Sequence, residues 1–346
     1  MIILGIESSC DETAVAVVNS DKKILSNKIY SQIKEHKDFG GVVPEIAARS
    51  HIEHLPILLQ ESLKESGMHY SDLDGVAVTA GPGLIGGLMV GVIFAKTIAS
   101  ILKKPFVAVN HLEGHALAVR LTNNIEFPYL LLLASGGHCQ FLLVEGIANY
   151  TQISTTIDDS AGEAFDKVAK MLSLEYPGGP IIEELAKKGD PKAFRFPKPL
   201  CESNRHELSF SGLKTALRQL IEKNQDSIED IRNDICASFQ NTISEIFLYK
   251  TKQVIEIVKS TYSTSKKINS FVISGGVAAN KHIREKMSNL ITSYDYNFIA
   301  PPINLCTDNA AMIAWAGIEH LNIGLKNELN FEPRSRWPLE SMKDPE

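Results

Sequence analysis

The sequence predicts an α/β protein made of two domains. Its 346 residues are about twice the ~150 residues of a typical domain. Apolar runs of strand length alternate with helical patterns, which is typical of α/β folds. A unit of apolar run, polar turn and apolar run occurs twice, at residues 2–18 and 129–144. Because each copy begins one half of the chain, the repeat indicates a duplicated domain.

Composition and charge exclude several classes of protein. Hydrophobic residues make up 44% of the chain and charged residues 22%, proportions that argue against a disordered or fibrous protein. A net charge of −6 disfavours binding of nucleic acid through bulk charge. The five cysteines include no Cys-x-x-Cys pair, which predicts reduced thiols in a cytosol-like compartment. We therefore expect a cytoplasmic protein.

Neither a membrane segment nor a targeting segment is expected. The N-terminus begins Met1–Ile6 without a basic residue and then meets Glu7, which does not fit a signal or transit peptide. The longest apolar stretch, Leu84–Leu102, is nearly long enough to span a bilayer, but it contains Lys96 and glycines near its start. We interpret this stretch as a buried helix of the α/β fold.

In the first half, strands are predicted at 2–6, 14–18, 75–78 and 106–109, and helices at 44–63, from 84 onward and at 111–121. Pro44 suits the first turn of its helix, whereas Pro56 is expected to interrupt or kink that helix. Asn110 is a natural cap for the helix that follows it.

In the second half, strands are predicted at 129–134, 141–144 and 271–273, and helices at 160–172, 181–188, 277–287 and through residue 315. Asp158 and Asp159 are expected at the N-terminus of the helix 160–172. The segment Pro177–Pro180 is expected to break the chain before the next helix. Asn280 is expected one turn inside the helix 277–287, as a ligand contact or a local cap.

Residues 185–223 differ in charge from the rest of the chain. They contain nine basic and four acidic side chains, a net charge of +5, with Phe194, Phe196 and Phe210 interleaved. Two interpretations stay open: a solvated surface, or a surface that follows the phosphates of a polyanion.

His111 and His115 are the strongest metal-ligand candidates from spacing alone. Side chains at i and i+4 share one face of a helix, so two imidazoles can reach one ion. The third ligand should be a carboxylate at the end of an element, and Asp308 qualifies, although capping the last helix is an equal alternative. His51 and His54 form a rival pair at i and i+3, which we interpret as helix surface or packing.

The segment His111–His115 resembles the helix of a zinc protease, but its glutamate is in the wrong register. Glu113 follows His111 by two residues, about 200° around a helix, and so cannot act as base on a shared water. A peptidase is therefore a poor interpretation.

Three turns follow predicted strands: Ser8–Thr13, Ser135–His138 and Ser274–Gly276. Turn amides and helix N-termini can hold phosphate, so together the turns favour a nucleotide site. None of them matches the P-loop or Rossmann pattern. Asp166 is open to two roles, binding both hydroxyls of a ribose or pairing with Lys170. Cys10 has no adjacent histidine and is interpreted as a small buried residue.

Ten motifs in order give a close resemblance to one family. They are Gly5–Thr13 (GIESSCDET), Val43–Ala47 (VPEIA), Gly81–Leu84 (GPGL), Asn110–His115 (NHLEGH), Ser135–His138 (SGGH), Gly162–Lys167 (GEAFDK), Tyr176–Pro180 (YPGGP), Phe210–Thr215 (FSGLKT), Ser274–Asn280 (SGGVAAN) and Thr307–Asn309 (TDN). The chain resembles the tRNA threonylcarbamoyladenosine transferases, the TsaD family, which was once described as O-sialoglycoprotein endopeptidases. Leu133–Ala134 before the SGGH turn and His138 within it resemble the bacterial or organellar branch.

The resemblance implies the actin/Hsp70/sugar-kinase (ASKHA) fold, with two related α/β lobes and a nucleotide cleft between them. We place the N-terminal lobe at residues 1–125 plus 310–346 and the C-terminal lobe at 126–309. The resemblance also implies one divalent metal, iron or zinc, on His111, His115 and Asp308. The implied substrate-binding residues are Ala134, Ser135, Gly136, Gly137, His138, Asp166, Gly179 and Asn280.

The implied reaction transfers the threonylcarbamoyl group from threonylcarbamoyl-AMP to the exocyclic amine of the adenosine 3′ to the anticodon, position 37 of tRNA, and releases AMP. No side chain is compelling as a general base, and Asp11 and Glu12 are the candidates. The implied partners are tRNA and TsaB-like and TsaE-like proteins, and a homodimer stays open. The alternatives are a small-molecule kinase, which has no use for the two histidines, and a noncatalytic ATP-binding scaffold of the same fold.

Overall fold

The computed structural model describes residues 1–203, 205–224, 227–262 and 267–343. The chain divides into two compact units. The first comprises Met1–Ile125, Gly146–Tyr150 and Thr307–Glu346, and the second comprises Glu126–Glu145 and Thr151–Cys306. Residues 344–346 of the N-terminal lobe expected from the sequence, and residue 204 of the basic segment 185–223, lie outside the described residues.

The first unit is built on a mixed five-stranded sheet. Its elements are β1 (Ile2–Glu7), β2 (Glu12–Asn19), β3 (Ile24–Ser31), α1 (Ile33–His36), α2 (Pro44–Ser66), β4 (Gly75–Gly81), α3 (Ile85–Leu102), β5 (Phe106–Asn110) and α4 (His111–Thr122). The strand order is β3-β2-β1-β4-β5. β1 pairs antiparallel with β2 and parallel with β4, and β4 pairs parallel with β5. The carboxyl ends of β1, β4 and β5 therefore meet at one edge of the sheet.

The second unit contains a sheet of the same design. Its elements are β6 (Tyr129–Ala134), β7 (Cys139–Gly146), β8 (Asn149–Thr155), α5 (Ala161–Met171), α6 (Gly178–Ala186), α7 (Ser211–Lys223), α8 (Ile228–Thr261), β9 (Ser270–Ser274), α9 (Lys281–Thr292) and β10 (Asn297–Ile299). The last helix, α10 (Ala310–Asn322), belongs to the first unit. Read from β8, the strand order is β8-β7-β6-β9-β10, which repeats the order β3-β2-β1-β4-β5 of the first sheet strand for strand. The predicted duplication is confirmed.

Helix α2 begins at Pro44 as expected. Of the two effects predicted for Pro56, the interruption is wrong, and the kink stays a prediction. The helix continues from Pro44 to Ser66 with Pro56 inside it. Proline removes one backbone hydrogen bond of a helix. The buried face of α2, which includes Leu55, Leu58 and Leu59, packs on β2 and β3 and compensates for that loss.

Helix α3 has the length and composition of a membrane span, yet one of its faces packs within the first unit. A Cβ atom added at Gly87 would lie 2.4 Å from the Ser8 carbonyl oxygen, and one added at Gly91 would lie 2.1 Å from Ser8 Oγ. The helix also packs on α2 and β4. Such close approach of a helix backbone to a strand end is the packing of a core helix and agrees with our interpretation of this stretch.

Two helix starts predicted in the second unit are wrong, whereas the expected placement of Asp158 and Asp159 just before α5 is confirmed. Ser160 caps α5 by accepting from the Glu163 amide, and Asp159 Oδ1 lies 2.8 Å from Lys167 Nζ of the same helix. Asp158 instead accepts hydrogen bonds from the amides and hydroxyls at the start of α7, among them Phe210 N at 2.8 Å. Helix α6 begins at Gly178, inside the segment that was expected to break the chain, because a proline is tolerated in the first turn of a helix.

The second error concerns the start of α9. The chain forms a short 3-10 turn over Gly276–Ala279, and α9 begins only at Lys281. Asn280 is the N-cap of α9 and accepts a hydrogen bond from the Ile283 amide at 3.0 Å. Asn280 is therefore the local cap, which was one of its two expected roles, and it does not lie one turn inside the helix.

The sheet of the first unit allows α10 to approach very closely at one glycine. A Cβ atom at Gly5 of β1 would lie 2.3 Å from the Ala310 carbonyl oxygen and 2.6 Å from the Ala314 amide nitrogen. Both are backbone atoms of α10, which cannot rotate away. The absence of a side chain at Gly5 is thus a packing requirement of this unit.

We expect Gly5→Ala to destabilise the first unit, because the new methyl group forces α10 away from β1. Overpacking of this kind typically costs about 1–3 kcal/mol. Urea denaturation measures the loss, and Gly41→Ala is the control, since a Cβ atom there has no neighbour within 4 Å. Equal stability of the two variants would contradict the packing argument.

Candidate metal centre

Helix α4 places two imidazoles on one face. Asn110 caps the helix by accepting from the Leu112 amide, as the sequence predicted, so the helix begins with His111 at the end of β5. His115 follows one turn later, and the two rings lie edge to face with centroids 4.8 Å apart. Both residues are buried, with exposures of 7% and 0%.

Asp308 lies beside both histidines. Its Oδ1 atom is 3.1 Å from His115 Nε2 and 3.5 Å from His111 Nε2. The three potential ligand atoms all lie within 4.8 Å of one another. Asn309, and not Asp308, caps α10 by accepting from the Met312 amide, so the aspartate is not used as a helix cap. All three residues belong to the first compact unit.

Electrostatics favour the charged forms of Asp308 and His111 despite their burial. Burial alone would raise the pKa of Asp308, but His111 and His115 lower that pKa far below its ordinary value. Burial opposes protonation of His111, but the carboxylates of Asp308 and Glu7 raise the pKa of His111 well above its usual 6.5. The aspartate is therefore held as an anion facing two nitrogen donors.

Glu7 is a neighbour of the candidate ligands that the sequence reasoning missed. It is fully buried at the end of β1, and its Oε2 atom lies 3.0 Å from His111 Nδ1. Burial raises the pKa of Glu7, but the neighbouring His111 and hydrogen bonding from Ser9 lower it by more, so that the net shift of the pKa is downward. The available signal was a charged residue directly after the apolar run 2–6.

The two candidates for a general base lie in the same turn. Burial and the adjacent Asp11 raise the pKa of Glu12 well above its ordinary value, so Glu12 retains its proton more readily than a free glutamate. Burial, with Asp11 next in importance, also raises the pKa of the Cys10 thiol well above 9.0. A thiol of this kind is a weak nucleophile at neutral pH, in agreement with our interpretation of Cys10 as non-catalytic.

Glu113 points away from the metal-ligand group into a separate buried network. Its carboxylate lies 2.7 Å from His320 Nε2, and it accepts from Tyr150 Oη at 2.8 Å and from the Ala148 amide at 3.0 Å. These partners occupy the carboxylate that a zinc protease would use as its base. The register argument against a peptidase therefore agrees with the geometry.

The rival pair His51 and His54 does not form a metal site. His51 is fully buried and contacts Thr13 Oγ1 at 2.8 Å and the Cys10 carbonyl oxygen at 3.0 Å. His54 stacks on the ring of Tyr30. Both contacts are packing and hydrogen bonding, as interpreted from the sequence.

In the second unit, the expected substrate residues begin with the turn Ser135–His138. The Ser135 amide donates to the His138 carbonyl oxygen at 2.8 Å, and the His138 amide donates to Ser135 Oγ at 3.1 Å. A Cβ atom at Gly136 or Gly137 would meet nothing within 4 Å. The turn is therefore closed at its base and open above its two glycines.

Neighbouring elements pack tightly around this turn. Gly275 has φ +93°, and a Cβ atom there would lie 2.5 Å from the Ala134 carbonyl oxygen. A Cβ atom at Gly162 of α5 would lie 2.6 Å from the Ser135 carbonyl oxygen. The turns after β6 and β9 and the start of α5 thus come together, because β6 and β9 are parallel neighbours.

The remaining expected substrate residues are partly engaged by the protein itself. Asp166 accepts from the Gly178 amide at 2.8 Å and so supports the start of α6. A Cβ atom at Gly179 would meet nothing within 4 Å. Asn280 donates to Gln240 Oε1 at 2.7 Å in addition to capping α9.

Comparison with known proteins assigns the family. The family model described as "tRNA N6-adenosine threonylcarbamoyltransferase", TsaD, matches residues 23–315. A protein of that name from Rickettsia rickettsii (strain Sheila Smith) is 55% identical over 342 residues, which cover 99% of this chain and 99% of the relative. One from Orientia tsutsugamushi (strain Boryong) is 53% identical over 345 residues, covering 99% of this chain and 100% of the relative.

The fold is also found among solved structures. Component A of the (R)-2-hydroxyglutaryl-CoA dehydratase of Acidaminococcus fermentans matches 91% of this chain and 96% of its own, with a TM-score of 0.51 and 15% identity. The two lobes have the actin/Hsp70/sugar-kinase fold, as predicted. The chain belongs to the TsaD family, and it is a transferase that modifies tRNA.

The Glu113–His320 pair predicts a pH-dependent stability. Burial lowers the pKa of His320, but Glu113 raises it above 6.5. The stabilisation is therefore fully present below pH 6.5 and is lost as the pH rises through the higher pKa of the folded state. His320→Gln should lower the melting temperature most at low pH, since losing one partner of a buried pair costs about 3–5 kcal/mol.

Thermal unfolding between pH 5.5 and 8.5 measures this difference, with the exposed His206→Gln as control. The gap between wild type and His320→Gln should narrow as the pH rises. A gap that stays constant over this range would refute the assignment of a charged His320.

Proposed function

We propose that this chain transfers the threonylcarbamoyl group from threonylcarbamoyl-AMP to the exocyclic amine of adenosine 37 in tRNA, releasing AMP. The observation that carries the proposal is the convergence of His111, His115 and Asp308, with ligand atoms within 4.8 Å of one another, in a chain of the TsaD family. A kinase acting on a small alcohol has no role for these residues.

The donor set fits one divalent ion, iron or zinc. Two imidazoles and one carboxylate are a common set at catalytic metal sites, which keep a further position open. The burial of the histidines and the anionic state of Asp308 fit this chemistry. When bound, such an ion supplies a Lewis acid that can orient and polarise oxygen atoms of the substrate.

The substrate residues of the second unit suit an acyl-nucleotide. The open amides of Gly136 and Gly137 and the start of α5 offer hydrogen bonds to phosphate oxygens. Asp166 has acceptor oxygens for ribose hydroxyls, and Gly179 leaves room for a sugar or base against the chain. Ala134, Ser135, His138 and Asn280 complete the proposed binding set.

The attacking amine is a poor nucleophile because its lone pair is delocalised into the adenine ring. An activated acyl donor and tight positioning must therefore lower the barrier. Asp11 stays the better candidate for accepting the amine proton, since burial and Asp11 raise the pKa of Glu12 and so favour its protonated form.

The basic segment 185–223 is the proposed path of the tRNA backbone. Lys198, Arg205 and Lys214 are paired with carboxylates. Among the described residues, the exposed Lys192 and Arg195 have no ion pair, so their charges are available to phosphates. The interleaved phenylalanines are not base-stacking residues, because Phe196 and Phe210 are buried and Phe194 packs against the core.

A buried lysine shapes this segment. Lys250 of α8 is fully buried and donates to the carbonyl oxygens of Leu200 and Arg205, each at 2.7 Å. Its ammonium group thus fastens both ends of the stretch that follows Lys192 and Arg195. Two hydrogen bonds from one buried ammonium group therefore hold the backbone of the basic segment at Leu200 and Arg205.

Protein partners of the TsaB and TsaE types are proposed as well. Ile85, Met89 and Ile93 are exposed and recur every fourth residue, so that they form one apolar stripe on α3. A stripe of this kind is typical of a surface that another protein covers. We place the enzyme in the cytoplasm, where its tRNA substrate occurs, and a homodimer stays an alternative.

His111→Ala should abolish product formation, because one of three ligands is lost. The assay is mass spectrometry of nucleosides from tRNA incubated with the chain, its partners, ATP, threonine, bicarbonate and a threonylcarbamoyl-adenylate synthase. His54→Ala, a helix histidine outside the site, should keep activity. Equal product from wild type and His111→Ala would mean that the metal role is wrong.

Reversing the charges of Lys192, Arg195 and Lys198 to glutamate should weaken tRNA binding without changing nucleotide binding. Each lost phosphate contact should lower the slope of log affinity against log salt by about 0.7–0.9. Filter binding at several salt concentrations measures this slope. The control reverses the exposed Lys23, Lys34 and Lys326, and unchanged tRNA affinity in the first variant would refute the proposed path.

A further inference from the structure

One buried carboxylate beside the metal-ligand group has no role in the function proposed above. Glu7 ends β1 with 0% exposure. Burying an ionised carboxylate is costly unless hydrogen bonds and opposite charge compensate. The contacts of Glu7 therefore indicate what the charge does at this position.

Three donors converge on the two oxygens of Glu7. The Ser9 amide donates to Oε1 at 2.6 Å, and Thr79 Oγ1 donates to Oε2 at 2.5 Å. His111 Nδ1 lies 3.0 Å from Oε2. Glu7 is thus held by the turn after β1 and by β4, and these hydrogen bonds direct its carboxylate toward the imidazole in the absence of a ligand.

This contact uses the nitrogen of His111 that faces away from Asp308. The other nitrogen, Nε2, lies 3.5 Å from Asp308 Oδ1, within the group of potential ligand atoms. Metal binding requires the neutral form of His111, which carries one proton. Both groups near Nδ1, Glu7 Oε2 at 3.0 Å and Ser9 Oγ at 3.2 Å, can accept that proton and so keep it on Nδ1. The lone pair of Nε2 is then free and directed toward His115 and Asp308.

We propose that Glu7 is a positioning residue that accepts the Nδ1 proton of His111, fixes the tautomer and the ring orientation, and thereby presents Nε2 to the divalent ion. This inference rests on the proposed metal site. Thr79 acts one step further out, because its hydroxyl holds Glu7 in the required rotamer. Carboxylate partners of this kind raise the basicity of a ligating histidine and typically contribute 10–100-fold to metal affinity.

The test is metal affinity, measured by competition of Zn²⁺ with a chromophoric chelator. Glu7→Gln should bind Zn²⁺ about 10–100-fold more weakly than wild type. A carboxamide has a single acceptor oxygen, so at least one of the three donors then faces an NH₂ group. Thr79→Val should weaken Zn²⁺ binding by a smaller factor. Because this substitution keeps the size of the side chain, it serves as the test if Glu7→Gln fails to fold.

A matched control separates positioning from the general cost of removing a buried charge. Glu113→Gln removes an equally buried carboxylate from a carboxylate–histidine pair in the same unit, but that histidine, His320, is not part of the ligand group. It should bind Zn²⁺ like wild type. The visible absorption bands of the Co²⁺-loaded protein should shift in Glu7→Gln and not in Glu113→Gln.

The outcomes distinguish the inference from the function on which it rests. Wild-type affinity and an unshifted Co²⁺ spectrum in folded Glu7→Gln, or in Thr79→Val if only that variant folds, would overturn the role of Glu7 while leaving the metal site intact. Failure of wild type itself to bind Zn²⁺ or Co²⁺ would overturn the metal site and the inference together. Weaker binding in Glu7→Gln alone, with Glu113→Gln unaffected, supports the proposal.

Discussion

The balance of charge around His111 is the constraint on which the first unit depends. Glu7 and Asp308 are two carboxylates on opposite sides of one imidazole, and each is removed from water to a large degree. Neither is stable as an anion in such surroundings without a facing donor. The imidazole supplies one nitrogen to each, so the group is a chain of acceptor, ring and acceptor whose members hold one another in place.

The duplicated sheet explains where the group of Glu7, His111 and Asp308 lies and why it lies in the first unit rather than in the second. β1, β4 and β5 end at one edge of the first sheet, and they carry Glu7, Thr79 and His111 near those ends. The corresponding edge of the second sheet, after β6 and β9, carries serine and glycine turns. The same topology thus places charged and imidazole side chains at this edge in one unit and glycine-rich turns at the corresponding edge in the other.

Strands, helices and the cap at Asn110 could be read from the sequence because their causes are local. Apolar runs of strand length and the Asn110 cap depend on neighbours within a few residues. The hydrogen-bond partners of Asp158 could not be read in this way, because two structures compete for its carboxylate: the helix that follows it directly and the start of α7, about 50 residues later. Local spacing favours the first, and only the packing of the β8 region against residues 208–211 brings the second within reach.

The site shows the same limit in its ligands and their support. The spacing of His111 and His115 is a helical pattern and is visible in the sequence, whereas Asp308 could be proposed but not separated from a helix cap until Asn309 was found to be the cap. The contact between Glu7 and His111 could not be predicted, because the two residues are 104 positions apart in the chain. The contact depends on the sheet order β1-β4-β5, which brings the ends of β1 and β5 to the same edge. A charged residue that ends a fully buried strand is nevertheless a signal, since such a group needs a partner at the same edge of the sheet. In the first unit that rule selects Glu7 from the sequence alone, and His111, which begins α4 at the same edge of the sheet, is its partner.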